Sequence, residues 1–109
     1  RSTHSAVNSI YDMTKAGINA FAKSCAVDFS SRKIRVNVVC PGMIRTSMTD
    51  PTGSLNEEDY QKDIKDNYLL GRYGKAEEVA YTVAFLLSDA ASFITGISLI
   101  VDGGRSVTH

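Results

Sequence analysis

The sequence has no excess of charge of either sign. Its 109 residues include twelve Lys and Arg residues and twelve Asp and Glu residues. Proteins that bind nucleic acids or anionic membranes carry basic clusters, because these clusters attract the negative ligand from a distance. The sequence therefore does not predict a nucleic acid or a membrane surface as a partner.

Long apolar runs are also missing from the chain. A helix that crosses a membrane needs about 20 consecutive apolar residues. A secretory signal peptide combines a basic start with an apolar segment, whereas the first residues of this chain are polar. These features predict a soluble protein located in the cytoplasm.

Cysteine and histidine are scarce and widely spaced. Cys25 and Cys40 lie fifteen positions apart, and the two histidines, His4 and His109, stand at opposite ends of the chain. The usual Cys/His metal sites need ligands at short, regular spacings, so no metal site is expected. Two isolated cysteines are typical of a reducing compartment, although the two could in principle form one disulfide.

What the chain does have is the composition of a globular protein, with 43% hydrophobic and 22% charged residues. The apolar residues between Ile10 and Phe29 recur every three or four positions, which predicts a long helix with one buried stripe. The stripe consists of Ile18, Phe21, Ala22, Cys25, Ala26 and Phe29.

The rest of the chain alternates between predicted strands and helices. The elements are a strand from Ile34 to Cys40, a loop from Met43 to Leu55, a helix from the capping residue Asn56 to Tyr68, a helix from Ala76 to Leu87 and a strand from Ile97 to Val101. The helix from Ala76 should carry a broad apolar surface formed by Val79, Ala80, Val83, Phe85, Leu86 and Leu87. Two parallel strands joined by helices need further strands and a helix layer to cover their sheet, so these are expected upstream or in a partner.

Tyr11 and Lys15 form a candidate acid/base pair. Their four-residue spacing places them on one face of the predicted long helix, with Cβ atoms about 5–6 Å apart. An ammonium group beside a phenol favours the phenolate and brings proton transfer closer to neutral pH, so such a tyrosine could act as a general acid/base. A solvated pair on a helix surface has the same spacing and is the alternative.

Seven segments follow one another in a particular order and spacing. They are Tyr11-Asp12-Met13-Thr14-Lys15, the strand from Ile34 that ends in Pro41-Gly42, Ile44-Arg45-Thr46, Gly71-Arg72-Tyr73-Gly74 with Glu77-Glu78-Val79-Ala80, Phe85-Leu86-Leu87-Ser88-Asp89, Ile94-Thr95-Gly96 and Val101-Asp102-Gly103-Gly104. This series resembles the short-chain dehydrogenase/reductase family over nearly the whole chain, from Ser9 to Gly104.

The resemblance implies an α/β fold, the C-terminal part of a Rossmann-type doubly wound parallel sheet with two parallel strands and about three helices. Residues 1–109 would be the C-terminal catalytic half of a single domain of about 250 residues. The N-terminal cofactor-binding half would be absent, and with it the glycine-rich turn for the pyrophosphate, the catalytic serine and the relay asparagine. The isolated chain is therefore expected to be inactive.

The resemblance also implies an NAD- or NADP-dependent oxidoreductase that transfers hydride between nicotinamide and a small-molecule carbonyl or secondary alcohol. Among relatives, the chain is most similar to 3-oxoacyl-carrier-protein reductases and to polyol, sugar and tropinone-type reductases. The implied catalytic residues are Tyr11 and Lys15, and the implied cofactor-binding residues are Tyr11, Lys15, Pro41, Gly42, Ile44 and Thr46. The complete protein would be a homotetramer or homodimer.

Other interpretations of these segments stay open. Pro41-Gly42 is also a common strand-ending turn. Arg32 falls where the acyl-carrier reductases place a basic residue for the carrier protein, but it is equally an ordinary surface arginine. A fragment that keeps the fold as an assembly scaffold, without catalysis, is the alternative function.

The segment from Ser47 to Leu70 resembles the substrate lid of the family. It carries Tyr60, Ile64 and Tyr68 on one predicted helix face. These side chains could line an apolar substrate pocket, or they could dock the helix on the core.

Overall fold

The computed structural model describes residues 6–44 and 56–108. The main elements are helix α1 (Ala6–Asp28), strand β1 (Val38–Pro41), helix α2 (Glu57–Asn67), helix α3 (Ala76–Leu87) and strand β2 (Ser98–Val101), with short 3-10 helices at Ser30–Arg32, Asp89–Ala91 and Arg105–Val107. The predicted order of helices and strands is confirmed. Most of the predicted loop from Met43 to Leu55 lies outside the described residues.

The two strands pair side by side in parallel. The Val38 N–H donates to the Ile97 carbonyl at 2.9 Å, and the Gly42 N–H donates to the Val101 carbonyl at 2.9 Å. Both bonds join residues that are the same distance apart in sequence, which is the register of a parallel pair. The prediction of two parallel strands is therefore confirmed for the described part of the chain.

The first strand begins later than predicted, at Val38 instead of Ile34. In the residues before Val38, hydrogen bonds from side chains take the place of much of the regular backbone pairing. The Asn37 amide donates to the Ile94 carbonyl at 3.1 Å, and the Val36 N–H donates to the Thr95 hydroxyl at 3.1 Å. The apolar pattern before Val38 is that of a strand, but these long-range polar contacts take the place of regular pairing.

The chain divides into two compact units, residues 1–38 with 92–98 and residues 39–91 with 99–109. In the first unit, α1 approaches the 92–98 segment closely, because a Cβ added to Gly96 would lie 3.6 Å from the Ala26 Cβ. Ala22 and Ala26 are the buried members of the predicted α1 stripe.

The rest of that stripe is not buried, and the prediction is wrong there. Phe21 is 72% exposed, Ile18 and Phe29 are also exposed, and Cys25 is half-buried. The 92–98 segment is short, and small alanines alone fit beneath it. The periodicity identified the apolar face of the helix but not what covers it.

Helix α2 belongs to the second unit and begins as predicted. The Asn56 side chain accepts a hydrogen bond from the Asp59 N–H at 2.9 Å, which satisfies one of the free donors of the first turn. Three acidic residues follow in that turn, where the helix dipole favours negative charge. Tyr60 and Tyr68 are buried at the helix face predicted for them, and Ile64 is half-buried.

Helix α3, also in the second unit, has the predicted bounds. The Glu78 carboxylate accepts a hydrogen bond from the Lys75 N–H at 2.8 Å and so caps the start of the helix. Of the apolar surface predicted on α3, Leu86 is buried, whereas Phe85 and Leu87 are 45% and 78% exposed. Among the residues that the structure describes, the apolar faces of α3 and α1 are only partly covered.

Three general features concern the described residues alone. Cys25 and Cys40 are both free thiols. Within the described ranges, no helix has the length and apolar character needed to cross a membrane. No cluster of three or more His, Cys, Asp or Glu side chains suitable for a metal ion occurs among them.

Candidate functional site

Tyr11 and Lys15 both lie on α1 in the first unit, one helical turn apart. Lys15 is half-buried. The Tyr11 side chain lies outside the described part of the structure, so the backbone gives the placement of this residue. The helix supplies the spacing that an acid/base pair on one face requires.

Pro41 and Gly42 lie at the carboxyl end of β1 in the second unit. Gly42 continues the ladder beyond the strand, since its N–H donates to Val101. A Cβ at Gly42 would lie 2.8 Å from the Cα and the Cβ of Asp102. The neighbouring strand end therefore leaves room for glycine alone at this position.

Ile44 follows two residues later and forms an isolated parallel bridge with Gly74. The Gly74 N–H donates to the carbonyl of Met43 at 3.1 Å. That bond joins the peptide groups of Gly74 and Met43 and does not involve the N–H of Ile44. Thr46, the remaining predicted cofactor contact, lies outside the described residues.

A cavity of about 110 Å³ opens beside the carboxyl ends of both strands in the second unit. It is lined by Gly42, Met43, Ile44, Leu70, Arg72, Gly74, Glu78, Val79, Val101, Asp102 and Gly103. Gly42 and Ile44 thus share one cavity, whereas Pro41 is exposed and is not part of its lining. Ligands of open α/β sheets bind at this edge, beyond the carboxyl ends of the strands.

An ion pair forms part of the cavity wall. Two guanidinium nitrogens of Arg72 donate to the two carboxylate oxygens of Glu78, at 2.9 and 2.6 Å. These bonds, together with that from the Lys75 N–H, lower the pKa of Glu78 to about 2. The bond and the charge of Glu78 in turn raise the pKa of Arg72. No local pattern predicts this pair, because the partners are six residues apart and a turn lies between them.

Asp102 is the second carboxylate at the cavity. Burial raises its pKa, but hydrogen bonds from Ser106 and from the Gly104 N–H outweigh that effect, and the net result is a lowered pKa. The Ser106 N–H lies 2.8 Å from one carboxylate oxygen, and the Gly104 N–H lies 3.0 Å from the other. Asp102 is thus occupied in holding the turn that follows β2.

Three tyrosines pack together behind the cavity. The rings of Tyr60 and Tyr73 meet edge to face at 5.7 Å, and those of Tyr68 and Tyr73 do so at 5.2 Å. The Tyr73 hydroxyl donates to the Asp63 carboxylate, and burial together with this bond raises the pKa of Tyr73. The α2 face carrying Tyr60 and Tyr68 therefore docks the helix on the rest of its unit. Sequence reasoning left that choice open and missed Tyr73 and Asp63.

Comparison with known proteins assigns the family. A sequence model of the family described as enoyl-(acyl carrier protein) reductase matches residues 2–106. A solved structure described as a short chain dehydrogenase family protein from Francisella tularensis superposes with a TM-score of 0.78 at 30% identity, covering 98% of this chain and 46% of that chain. The chain belongs to the short-chain dehydrogenase/reductase family.

Other relatives agree with this assignment. The 3-oxoacyl-[acyl-carrier-protein] reductase of Mus musculus is 48% identical over 100 residues, which are 92% of this chain and 39% of that protein. A structure of a 4-hydroxyisoleucine dehydrogenase mutant complexed with NADH and succinate superposes with a TM-score of 0.79 at 33% identity, covering 89% of this chain and 39% of that chain. The fold is the Rossmann-type fold of the family, and the chain spans well under half the length of these relatives.

Taken separately, each unit has groups whose chemistry suits the nicotinamide end of a dinucleotide. A carboxamide needs both a hydrogen-bond donor and an acceptor, and the peptide groups of Ile44 beside the cavity offer both. The ammonium of Lys15 is a donor suited to hydroxyl oxygens. Gly42, which also lines the cavity, has no room for a side chain because a Cβ there would meet Asp102.

Proposed function

We propose that this chain is the catalytic half of an NAD- or NADP-dependent oxidoreductase that transfers hydride between nicotinamide and a carbonyl or secondary alcohol carbon. The observation that carries the proposal is the placement of Tyr11 and Lys15 one turn apart on α1, in a chain that belongs to the short-chain dehydrogenase/reductase family.

In the proposed reaction the bound nicotinamide supplies or accepts the hydride. The phenol oxygen of Tyr11 donates a proton to the carbonyl oxygen during reduction and takes it back during oxidation. Lys15 favours the phenolate of Tyr11 by its positive charge, and it donates hydrogen bonds to the ribose hydroxyls of the cofactor. The two residues therefore belong to both the catalytic and the cofactor-binding set.

The segment after β1 seats the nicotinamide in this proposal. The backbone of Ile44 holds the carboxamide, Pro41 and Gly42 let the chain pass close to the ring, and the hydroxyl of Thr46 adds a contact to the carboxamide or the pyrophosphate. The close approach of Gly42 to Asp102 supports the requirement for a residue without a side chain at that position.

A 3-oxoacyl, polyol or similar ketone is the proposed class of substrate. The similarity to the Mus musculus 3-oxoacyl-[acyl-carrier-protein] reductase supports it, and the NADH in the 4-hydroxyisoleucine dehydrogenase complex supports a nicotinamide cofactor. We further expect a cytoplasmic homotetramer or homodimer in the complete protein, by which we mean this chain joined to a cofactor-binding half.

Replacement of Tyr11 by Phe in the complete protein tests the proposal. Turnover should fall by about 10²–10⁴-fold because the proton donor is lost, while cofactor affinity stays within about three-fold, since Phe keeps the ring. Turnover is measured from the nicotinamide absorbance with 3-oxoacyl and polyol substrates. Tyr81→Phe, at a 71% exposed position on α3, is the matched control and should behave as wild type.

Near-normal turnover of the Tyr11→Phe protein would remove Tyr11 from the catalytic role. A wild-type complete protein that binds nicotinamide cofactors but turns over no carbonyl or alcohol would instead favour the scaffold function, in which the fold persists without catalysis.

A further inference from the structure

The hydroxyl of Tyr68 is bonded to the backbone next to the nicotinamide seat. The N–H of Met43 donates to the Tyr68 hydroxyl oxygen at 3.2 Å. Met43 directly precedes Ile44, whose peptide groups are the proposed partners of the carboxamide. Tyr68 is 6% exposed and Met43 is 46% exposed, so the bond is partly buried.

Three further contacts hold the Tyr68 side chain and its backbone in place. The Tyr68 N–H donates to the Ile64 carbonyl at 3.0 Å at the end of α2. The ring meets Tyr73 edge to face at 5.2 Å. On another side, a Cβ added to Gly103 would lie 3.5 Å from a ring carbon of Tyr68. The hydroxyl therefore reaches Met43 from a ring that has little freedom to move.

The peptide groups of Met43 are held from both directions. Its N–H is bound by Tyr68, and its carbonyl accepts the Gly74 N–H at 3.1 Å. Fixing both groups of one residue restricts the direction in which the next peptide leaves. The position of the Ile44 backbone therefore depends on Tyr68 as well as on the bridge to Gly74.

We propose that Tyr68 is a positioning residue, which through its hydroxyl sets the backbone of Met43 and Ile44 for the nicotinamide carboxamide. This inference rests on the proposed function. Tyr68 touches neither substrate nor cofactor in this role and acts through Met43. It also makes the end of α2 a direct support of the cofactor seat.

Tyr68→Phe in the complete protein tests the inference, because it removes the hydroxyl and keeps the ring in its aromatic packing. The Met43 N–H then loses its partner, so its hydrogen exchange, followed by NMR, should speed up by about three-fold or more. Affinity for NADH or NADPH, whichever the wild type binds, should fall by about 3- to 30-fold. The pH dependence of kcat, which reports Tyr11 and Lys15, should not move.

Tyr73→Phe is the matched control. It removes a hydroxyl from the same cluster of rings, but that hydroxyl bonds the Asp63 side chain instead of the backbone at the seat. Exchange of the Met43 amide and cofactor affinity should stay at wild-type values. Equal effects of Tyr68→Phe and Tyr73→Phe would overturn the inference and indicate a general loosening of the cluster.

The outcomes separate this inference from the proposed function. Unchanged Met43 exchange and unchanged cofactor affinity in Tyr68→Phe overturn the positioning role, while wild-type turnover leaves the enzyme proposal standing. Failure of the wild type to bind NADH or NADPH overturns both. If Tyr68→Phe does not fold, hydrogen exchange in the wild-type protein is the test. Exchange of the Met43 amide as fast as that of an amide without a hydrogen bond would contradict the positioning role.

Discussion

Gly42 has two roles, one in the packing of the chain and one in the proposed binding of the nicotinamide. Its backbone does not lie in the left-handed region, so the preference for glycine comes from space and not from backbone conformation. The space is limited by Asp102 on the neighbouring chain segment. A residue identified from its motif thus has a second, steric reason that the linear sequence does not show.

We predict that Gly42→Ala destabilises the protein by about 1–3 kcal/mol, the usual effect of forcing a methyl group into a filled site. The added Cβ would lie 2.8 Å from two Asp102 atoms, so the two strand ends must separate. Denaturant unfolding of the complete protein measures the loss. Gly17→Ala is the control, since its Cβ would meet nothing within 4 Å among the residues that the structure describes, and it should stabilise α1 by about 0.5–1 kcal/mol. Equal stability of Gly42→Ala and wild type would contradict the steric account.

At the level of the elements, local signals predicted well and long-range contacts were missed. The start of α2 follows from Asn56, whose capping bond spans three residues, and the bounds of α3 follow from its apolar periodicity. The predicted start of β1 was wrong because the Asn37 amide bonds the Ile94 carbonyl and the Val36 N–H bonds the Thr95 hydroxyl, each across more than fifty residues. No local pattern reports such a contact.

The candidate site divides in the same way. Tyr11 and Lys15 are predicted from a four-residue spacing within the matching series of motifs, and a helix places residues at this spacing on one face. The bond between Met43 and Tyr68 joins residues 25 positions apart, and the pairing of Tyr73 with Asp63 spans ten. These contacts depend on how α2 and the following loop fold back on the end of β1.

The ion pair between the 71–74 segment and α3 predicts that the stability of the protein depends on pH. The bonds from Arg72 and Lys75 lower the pKa of Glu78 from 4.5 to about 2 in the folded state. A carboxyl whose pKa is lowered by folding stabilises the protein above its unfolded pKa, and that contribution is lost as the pH falls through the folded pKa. Glu78 should therefore stabilise the protein above pH 4.5 and do so less and less towards pH 2.

Thermal melts of the wild type and Glu78→Gln as a function of pH check this prediction. The wild type should have the higher Tm above pH 4.5, and the difference should shrink as the pH approaches 2. Both side chains are partly exposed, at 49% and 36%, so added salt should also reduce the difference. Glu77→Gln, at a neighbouring exposed position, is the control and should show little pH-dependent difference. A wild-type advantage that is the same at all pH values would contradict the assignment.

On the scale of the whole molecule, the property that bears most on stability and self-association is the exposed apolar surface of the chain. Phe21 is 72% exposed, Phe93 is 102% exposed and Leu87 is 78% exposed. In a doubly wound fold both faces of the sheet are covered by helices and flanked by further strands. The sequence pattern places Phe21 and Leu87 on the apolar faces of their helices. The chain spans 39% of its Mus musculus relative, and the residues that the structure describes do not bury these side chains.

We predict that the 109-residue chain by itself is marginally stable at best, self-associates, and does not bind a dinucleotide with useful affinity. Each large apolar side chain left in water forgoes about 1.5–3 kcal/mol, so several of them remove as much as the whole stability of a typical domain, about 5–15 kcal/mol. The unpaired edges of β1 and β2 favour association with other chains. We expect weak cofactor binding for a second reason, which is independent of stability. Lys15, Ile44 and Thr46 are proposed to contact only the nicotinamide end of the cofactor. The pyrophosphate of a Rossmann-type site binds at the first strand–helix turn. Light scattering, thermal melts and calorimetric titration with NADH and NADPH test the two parts independently. A soluble monomer with a sharp cooperative melt would contradict the stability part, and micromolar cofactor binding would show that the seat after β1 suffices without the pyrophosphate site.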